Sequence, residues 1–180
     1  NKELSQKTKD YLLAFVIAKF DLNPYTSDVD KVKKVSEEYI KDSEVKKDLN
    51  SAINAVFGLK KGEEAPKVNL VKLDGKSSSF ESNGKPTLVM TYASWNPYIG
   101  QSTVPVLKEV VNFYKSKVNF AFVNVDDTKE QFTKTANAML KGIPGTNYYG
   151  EGGLSSEYAK KYFIYGFKIP GFFLIDKDGK

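Results

Sequence analysis

Two near-continuous apolar runs, Thr87–Ala93 and Asn119–Val125, most constrain what this chain can fold into. Their lack of polar alternation marks strands covered on both faces. The pattern between them, Val104-Pro105-Val106-Leu107-Lys108-Glu109-Val110-Val111, has helical spacing and extends to about Lys115. Strand, helix and strand in that order form a parallel βαβ unit, which places the chain in the α/β class. The first strand enters the helix through a tight turn, Ser94-Trp95-Asn96-Pro97-Tyr98-Ile99-Gly100. Asn96 suits a helix N-cap and Pro97 the first helical position.

Composition removes several chemistries. The 180 residues contain no Cys and no His, so disulfides, thiolate catalysis, a Ser-His-Asp triad and zinc sites built on those ligands are excluded within them. No metal or cofactor is expected. The formal charge is +5, and all 27 basic residues are Lys. Phosphate and base-edge recognition favours the planar Arg fork, and these lysines are scattered among acids, so no nucleic-acid partner is expected. Tyr11-Leu12-Leu13-Ala14-Phe15-Val16-Ile17-Ala18 is too short to cross a membrane and reads as a buried helix. The first residue is not Met, as in a mature or trimmed form.

Residues 1–60 read as a helical extension. A first helix spans about Leu4 to Phe20 and is broken by Asn23-Pro24-Tyr25. Ser27 is the expected cap of a second helix, with Val32, Val35, Tyr39 and Ile40 on one face. Ser43 is the expected cap of a third, with Val45, Leu49, Ile53, Val56 and Phe57 inward and a left-handed Gly58 at its end. The buried stripe packs on the main domain or serves as a docking or dimerisation arm; periodicity does not choose. Lys60-Lys61-Gly62-Glu63-Glu64-Ala65-Pro66 is the expected linker, and residues 61–180 form the second domain. There, Val68–Leu73 and Ser77–Phe80 form a hairpin about Asp74-Gly75. Thr128 caps a further helix ending near Leu140, Gly142–Gly153 is a Gly-rich loop, Leu154–Phe163 is helical, and Gly171–Asp176 is a strand before a turn at Lys177–Lys180.

Read together, Gly62-Glu63-Glu64-Ala65-Pro66, Leu73-Asp74-Gly75-Lys76, Gly84-Lys85-Pro86-Thr87-Leu88-Val89, Ala93-Ser94-Trp95, Pro105-Val106-Leu107-Lys108-Glu109, Val123-Asn124-Val125-Asp126 and Ile169-Pro170 with Phe173–Lys180 resemble the extracytoplasmic thiol-disulfide oxidoreductases of the TlpA/ResA type, in that family's order. The resemblance covers residues 62–180 and leaves the first 60 outside. It implies a thioredoxin fold: a mixed sheet flanked by helices, with an added N-terminal β-hairpin and a cis-proline loop at Ile169-Pro170. It also implies a final strand and helix missing from this chain, a periplasmic or extracytoplasmic location, and a possible membrane anchor.

The family carries Trp-Cys-x-x-Cys where this chain has Trp95-Asn96-Pro97-Tyr98-Ile99-Gly100. Asn96 takes the first cysteine's place and Ile99 or Gly100 the second's, because one extra residue separates Trp95 from Pro105. The expected catalytic set is therefore empty. The turn residues Trp95, Asn96, Pro97, Tyr98, Ile99 and Gly100, with Ile169 and Pro170, become the expected binding site for a protein or peptide segment, Trp95 half-exposed as its anchor. Tyr98, Tyr148, Tyr149, Tyr165 and Phe167 are candidates to cluster around it or to join the core. Asp126-Asp127 is a strand-end turn or a ligand-side carboxylate pair. Two further functions stay open: an oxidoreductase or peroxidase relative whose cysteine lies outside these residues, and a structural subunit docked through residues 1–60.

Overall fold

The computed structural model describes residues 4–23, 26–80, 83–165 and 169–180. Pro24, Tyr25 and Phe167, which figured in the expected helix break and aromatic cluster, lie outside them. The chain divides into two compact units, residues 1–60 and 61–180.

The first unit holds three helices, α1 (Gln6–Val16), α2 (Val29–Tyr39) and α3 (Ser43–Phe57), with a π turn at Ile17–Asp21 extending α1. Its stripe is buried within the unit itself: Ala14, Ile17, Ile40, Val45, Leu49 and Ile53 pack into one core, supported by Leu13, Val32, Val35 and Phe57. Four expectations are corrected. Asp28, not Ser27, caps α2, accepting from the Asp30 and Lys31 amides; Asp42, not Ser43, caps α3, accepting from Glu44 and Val45. In both cases the carboxylate beside the serine takes the first-turn amides, and the Ser27 hydroxyl is engaged instead with the Asn23 N–H and the Asp21 carbonyl. Gly58 is right-handed, with φ −70°, so no αL cap closes α3. Tyr39 is exposed rather than inward, while Ser36 takes a buried place on its helix.

Asp10 sits on the buried side of α1. Its carboxylate accepts the backbone N–H groups of Lys41 (2.8 Å) and Asp42 (2.7 Å) and the Gln6 amide (2.7 Å). The Asp42 amide is the largest of the effects that hold this carboxyl below the usual range, against its desolvation. Asp10 thus ties α1 to the α2–α3 connection.

The second unit is a six-stranded mixed sheet in the order β2-β1-β5-β4-β3-β6. Its strands are β1 (Leu70–Lys72), β2 (Ser77–Ser78), β3 (Thr87–Tyr92), β4 (Asn119–Asn124), β5 (Thr146–Tyr149) and β6 (Gly171–Ile175). β1 and β2 form the expected hairpin about Gly75, whose φ of +84° a side chain would strain. β3 and β4 pair in parallel, Thr87 opposite Asn119 and Tyr92 opposite Asn124. They are the two apolar runs, and both are buried along nearly their whole length. Helix α4 (Val104–Tyr114) connects them. Helix α5 (Lys129–Met139) starts at a full capping box between Thr128 and Gln131. A 3₁₀ turn, Gly153–Ser155, and the short α6 (Glu157–Lys161) replace the longer helix expected over 154–163.

The Gly142–Gly153 segment is the main correction here. It contains β5, parallel to β4 and antiparallel to β1, which joins the hairpin to the rest of the sheet. Only four residues long and set among glycines, β5 gives no alternation strong enough to read. Its Tyr148 and Tyr149 are core residues: Tyr148 meets Phe80 edge-on, and Tyr149 stacks on Phe132 at 5.5 Å.

Candidate functional site

β3 ends at Tyr92, and Ala93 to Tyr98 turn the chain into a helix. Asn96 holds this turn with both ends of its amide. Its Oδ1 accepts the Tyr98 backbone N–H at 3.0 Å, the bond an N-cap makes two residues on. Its Nδ2 donates to the carbonyl of Ile169, next to the cis Ile169–Pro170 bond. Turn and loop are thereby stapled to each other. Around the half-buried Asn96, Trp95 is 49% exposed and Tyr98 67%, with Pro97 and Gly100 also in solvent. Ile99 and Ile169 are buried, so neither offers its side chain to a ligand.

The residue that separates this turn from its expected spacing appears as a π turn, Ile99–Thr103, running directly into α4. The Val104 N–H reaches back to the Ile99 carbonyl, five residues earlier. A single inserted residue in a helix is accommodated as a π turn. Gly100 lies within this widened turn and is exposed, while Ile99 is the residue that enters the core.

Beneath the turn lies Asp126, wholly buried at the end of β4. One carboxylate oxygen accepts the Ser94 N–H (2.7 Å) and hydroxyl (3.0 Å); the other accepts the Asn124 amide (2.9 Å) and the Thr135 hydroxyl (3.2 Å). The Asn124 Oδ1 in turn accepts the Asp126 N–H. Asp126 therefore joins the β3 turn, β4 and α5, and it is an anchor of the turn rather than a ligand-side carboxylate. Asp127 is exposed, and its carbonyl accepts the Tyr149 hydroxyl. The Tyr92 hydroxyl is buried and makes no hydrogen bond of good geometry, with the Asn124 side chain beside it. Burial first, and the Asp126 carboxylate second, raise its pKa above the phenol range against a smaller pull from Asn124.

Of the four aromatic candidates among the described residues, Tyr98 is an exposed part of the turn, Tyr148 and Tyr149 belong to the core, and Tyr165 is partly buried. A groove of about 650 Å³ elsewhere in the unit is lined by Pro66, Val68, Phe80, Glu157, Tyr162 and Asp178, none of them from the turn. Among the described residues, no three carboxylates come together as a metal site would require. Sequence reasoning placed Asn96 at the cap but missed its second bond, to Ile169, because two residues 73 apart in the chain share no local signal.

A mixed sheet with a parallel β3–α4–β4 core, a helix started by a capped turn and a proline loop beside that turn define a thioredoxin fold. The family model described as "Thioredoxin-like" matches residues 83–180, more than half of the chain, and the chain belongs to that family. "Thioredoxin-like protein HCF164, chloroplastic" of Oryza sativa subsp. japonica is 32% identical over 105 residues, 54% of this chain and 39% of that protein. The Arabidopsis thaliana protein of the same name is 46% identical over 80 residues, 43% of this chain and 30% of it. Among solved structures, the C-terminal domain of a putative thiol-disulfide oxidoreductase from Bacteroides thetaiotaomicron is 30% identical with a TM-score of 0.58, covering 67% of this chain and 83% of that domain. A putative thiol:disulfide interchange protein DsbE from Chlorobium tepidum is 26% identical with a TM-score of 0.54, covering 68% and 82%. The chain spans less than two fifths of the length of these plant relatives.

Proposed function

We propose that this thioredoxin-like chain binds a protein or peptide segment at its turn and carries out no dithiol exchange there. The observation behind this reading is Asn96. It stands where the family's first cysteine stands, and both ends of its amide are spent on structure. The turn keeps its geometry and loses its nucleophile. What remains outward is Trp95, Pro97 and Tyr98, large rigid contacts that anchor polypeptides at low entropic cost. The Ile169 carbonyl is occupied by Asn96, so the partner is held by these faces more than by strand-like pairing at that carbonyl. An extracytoplasmic location is proposed with it, on the family resemblance.

Trp95 is the chain's one tryptophan, so its fluorescence reports this site alone. Titration with a tryptophan-free, carboxymethylated unfolded polypeptide should shift Trp95 emission saturably, and Tyr98→Ala should weaken the titration. Unchanged emission, or insulin reduction catalysed by the chain itself, would overturn the reading.

A further inference from the structure

The first helix has more apolar surface than its own core can use. Asp10, Ala14 and Ile17 face inward. On the opposite side, Leu4, Tyr11, Leu12, Phe15 and Val16 are exposed, Phe15 at 62%. Tyr11 and Phe15 are one helical turn apart, as are Leu12 and Val16. Phe20, on the π turn, is also exposed at 71% but lines a shallow groove with Ile17, Val32 and Val35 and with the carboxylates Asp21 and Asp28. The Leu4, Tyr11, Leu12, Phe15 and Val16 side chains together expose several hundred Å², toward the upper end of what an ordinary monomer leaves uncovered in one patch.

Charge selects the occupant. From Leu4 to Phe20 the exposed charges are Lys7, Lys9 and Lys19. Asp10 in that stretch is buried and taken up by three donors, and Asp21, which ends the π turn, is the exposed carboxylate beside it. Lys7 is paired with Glu44 at 2.5 Å. Lys19 lies inside the apolar stripe, one turn from Phe15 and adjacent to Phe20. A lysine in that place is poorly suited to the dry centre of a protein interface, where lysines are depleted. On a bilayer its stem follows the apolar surface while the ammonium reaches the phosphates. α1 is eleven residues long, and no helix among those described is long and apolar enough to cross a membrane. Lying flat in the headgroup region suits such a helix.

We propose that the outward face of α1 rests on an anionic lipid surface, with Tyr11, Leu12 and Phe15 in the interface and Lys9 and Lys19 on the phosphates. The test is flotation of the whole 180-residue chain with phosphatidylcholine vesicles, with and without phosphatidylglycerol. The chain should float with the anionic vesicles, less so at high salt. Phe15→Asp, on an exposed position, should abolish flotation with the helical circular dichroism intact. Lys9→Gln and Lys19→Gln should each lower partitioning about fivefold. No flotation with anionic vesicles at low salt would overturn the proposal. So would equal flotation of Phe15→Asp and the parent chain, or a self-association lost in Phe15→Asp without vesicle binding.

Discussion

Among the described residues, each unit contains one buried carboxylate that holds a turn, and the two differ in what they position. Asp10 draws its donors from α1 and the α2–α3 connection, two of them main-chain N–H groups. It closes a small helical bundle. Asp126 takes one main-chain N–H and three side-chain donors from the β3 turn, β4 and α5. It supports a turn that presents Trp95 and Tyr98 to solvent. A satisfied buried carboxylate is thus not by itself a sign of a site; its meaning comes from what it positions.

Substitutions should separate the two roles. Asp126→Ala should have the largest effect, leaving the buried Asn124 amide and the Ser94 N–H unmatched while Thr135 keeps the Gln131 carbonyl, and costing about 2–3 kcal/mol in denaturant unfolding. It should also change Trp95 emission, because the turn above loses its anchor. Asp10→Asn should come next and leave Trp95 emission untouched. Since the folded pKa of Asp10 lies below its unfolded value, its contribution is full above about pH 4 and drains away as pH falls through the folded value. Acid unfolding curves should show Asp10→Asn destabilised at neutral pH and less sensitive to acid than the parent. Identical emission changes in the two variants would erase the contrast.

Smaller effects sharpen it. Asn96→Ala removes a cap and the bond to Ile169, costing about 1–2 kcal/mol and speeding hydrogen exchange at the Tyr98 amide. Tyr92→Phe should change stability by no more than about 0.5 kcal/mol, since the hydroxyl it deletes makes no hydrogen bond of good geometry. A marked loss would reveal a hydrogen bond, through water, that ties Tyr92 to the Asp126 network.

The two apolar runs and the hairpin were legible because each is a local pattern, whereas the proline loop was an implication of the family resemblance. Thr87–Tyr92 and Asn119–Asn124 are buried on both faces, as their unbroken hydrophobicity requires. The extra residue between Trp95 and Pro105 was legible as a spacing, and its π-turn form was not, since only packing shows which of Ile99 and Gly100 turns inward. β5 was hidden because four residues among glycines acquire strand geometry from β1 and β4 rather than from their own pattern. Asp10 left one faint trace, a charge on the buried phase of α1; Asp126 left none, because Asp at a strand end reads equally well as a turn.

The most direct test of an intact turn that lacks only its nucleophile is the thiol pKa of the Asn96→Cys variant, followed by thiolate absorbance against pH. A thiol at this helix N-terminus, near the unpaired first-turn amides, should titrate well below the free-cysteine value of about 8.5. A thiol titrating at or above that value would contradict the claim.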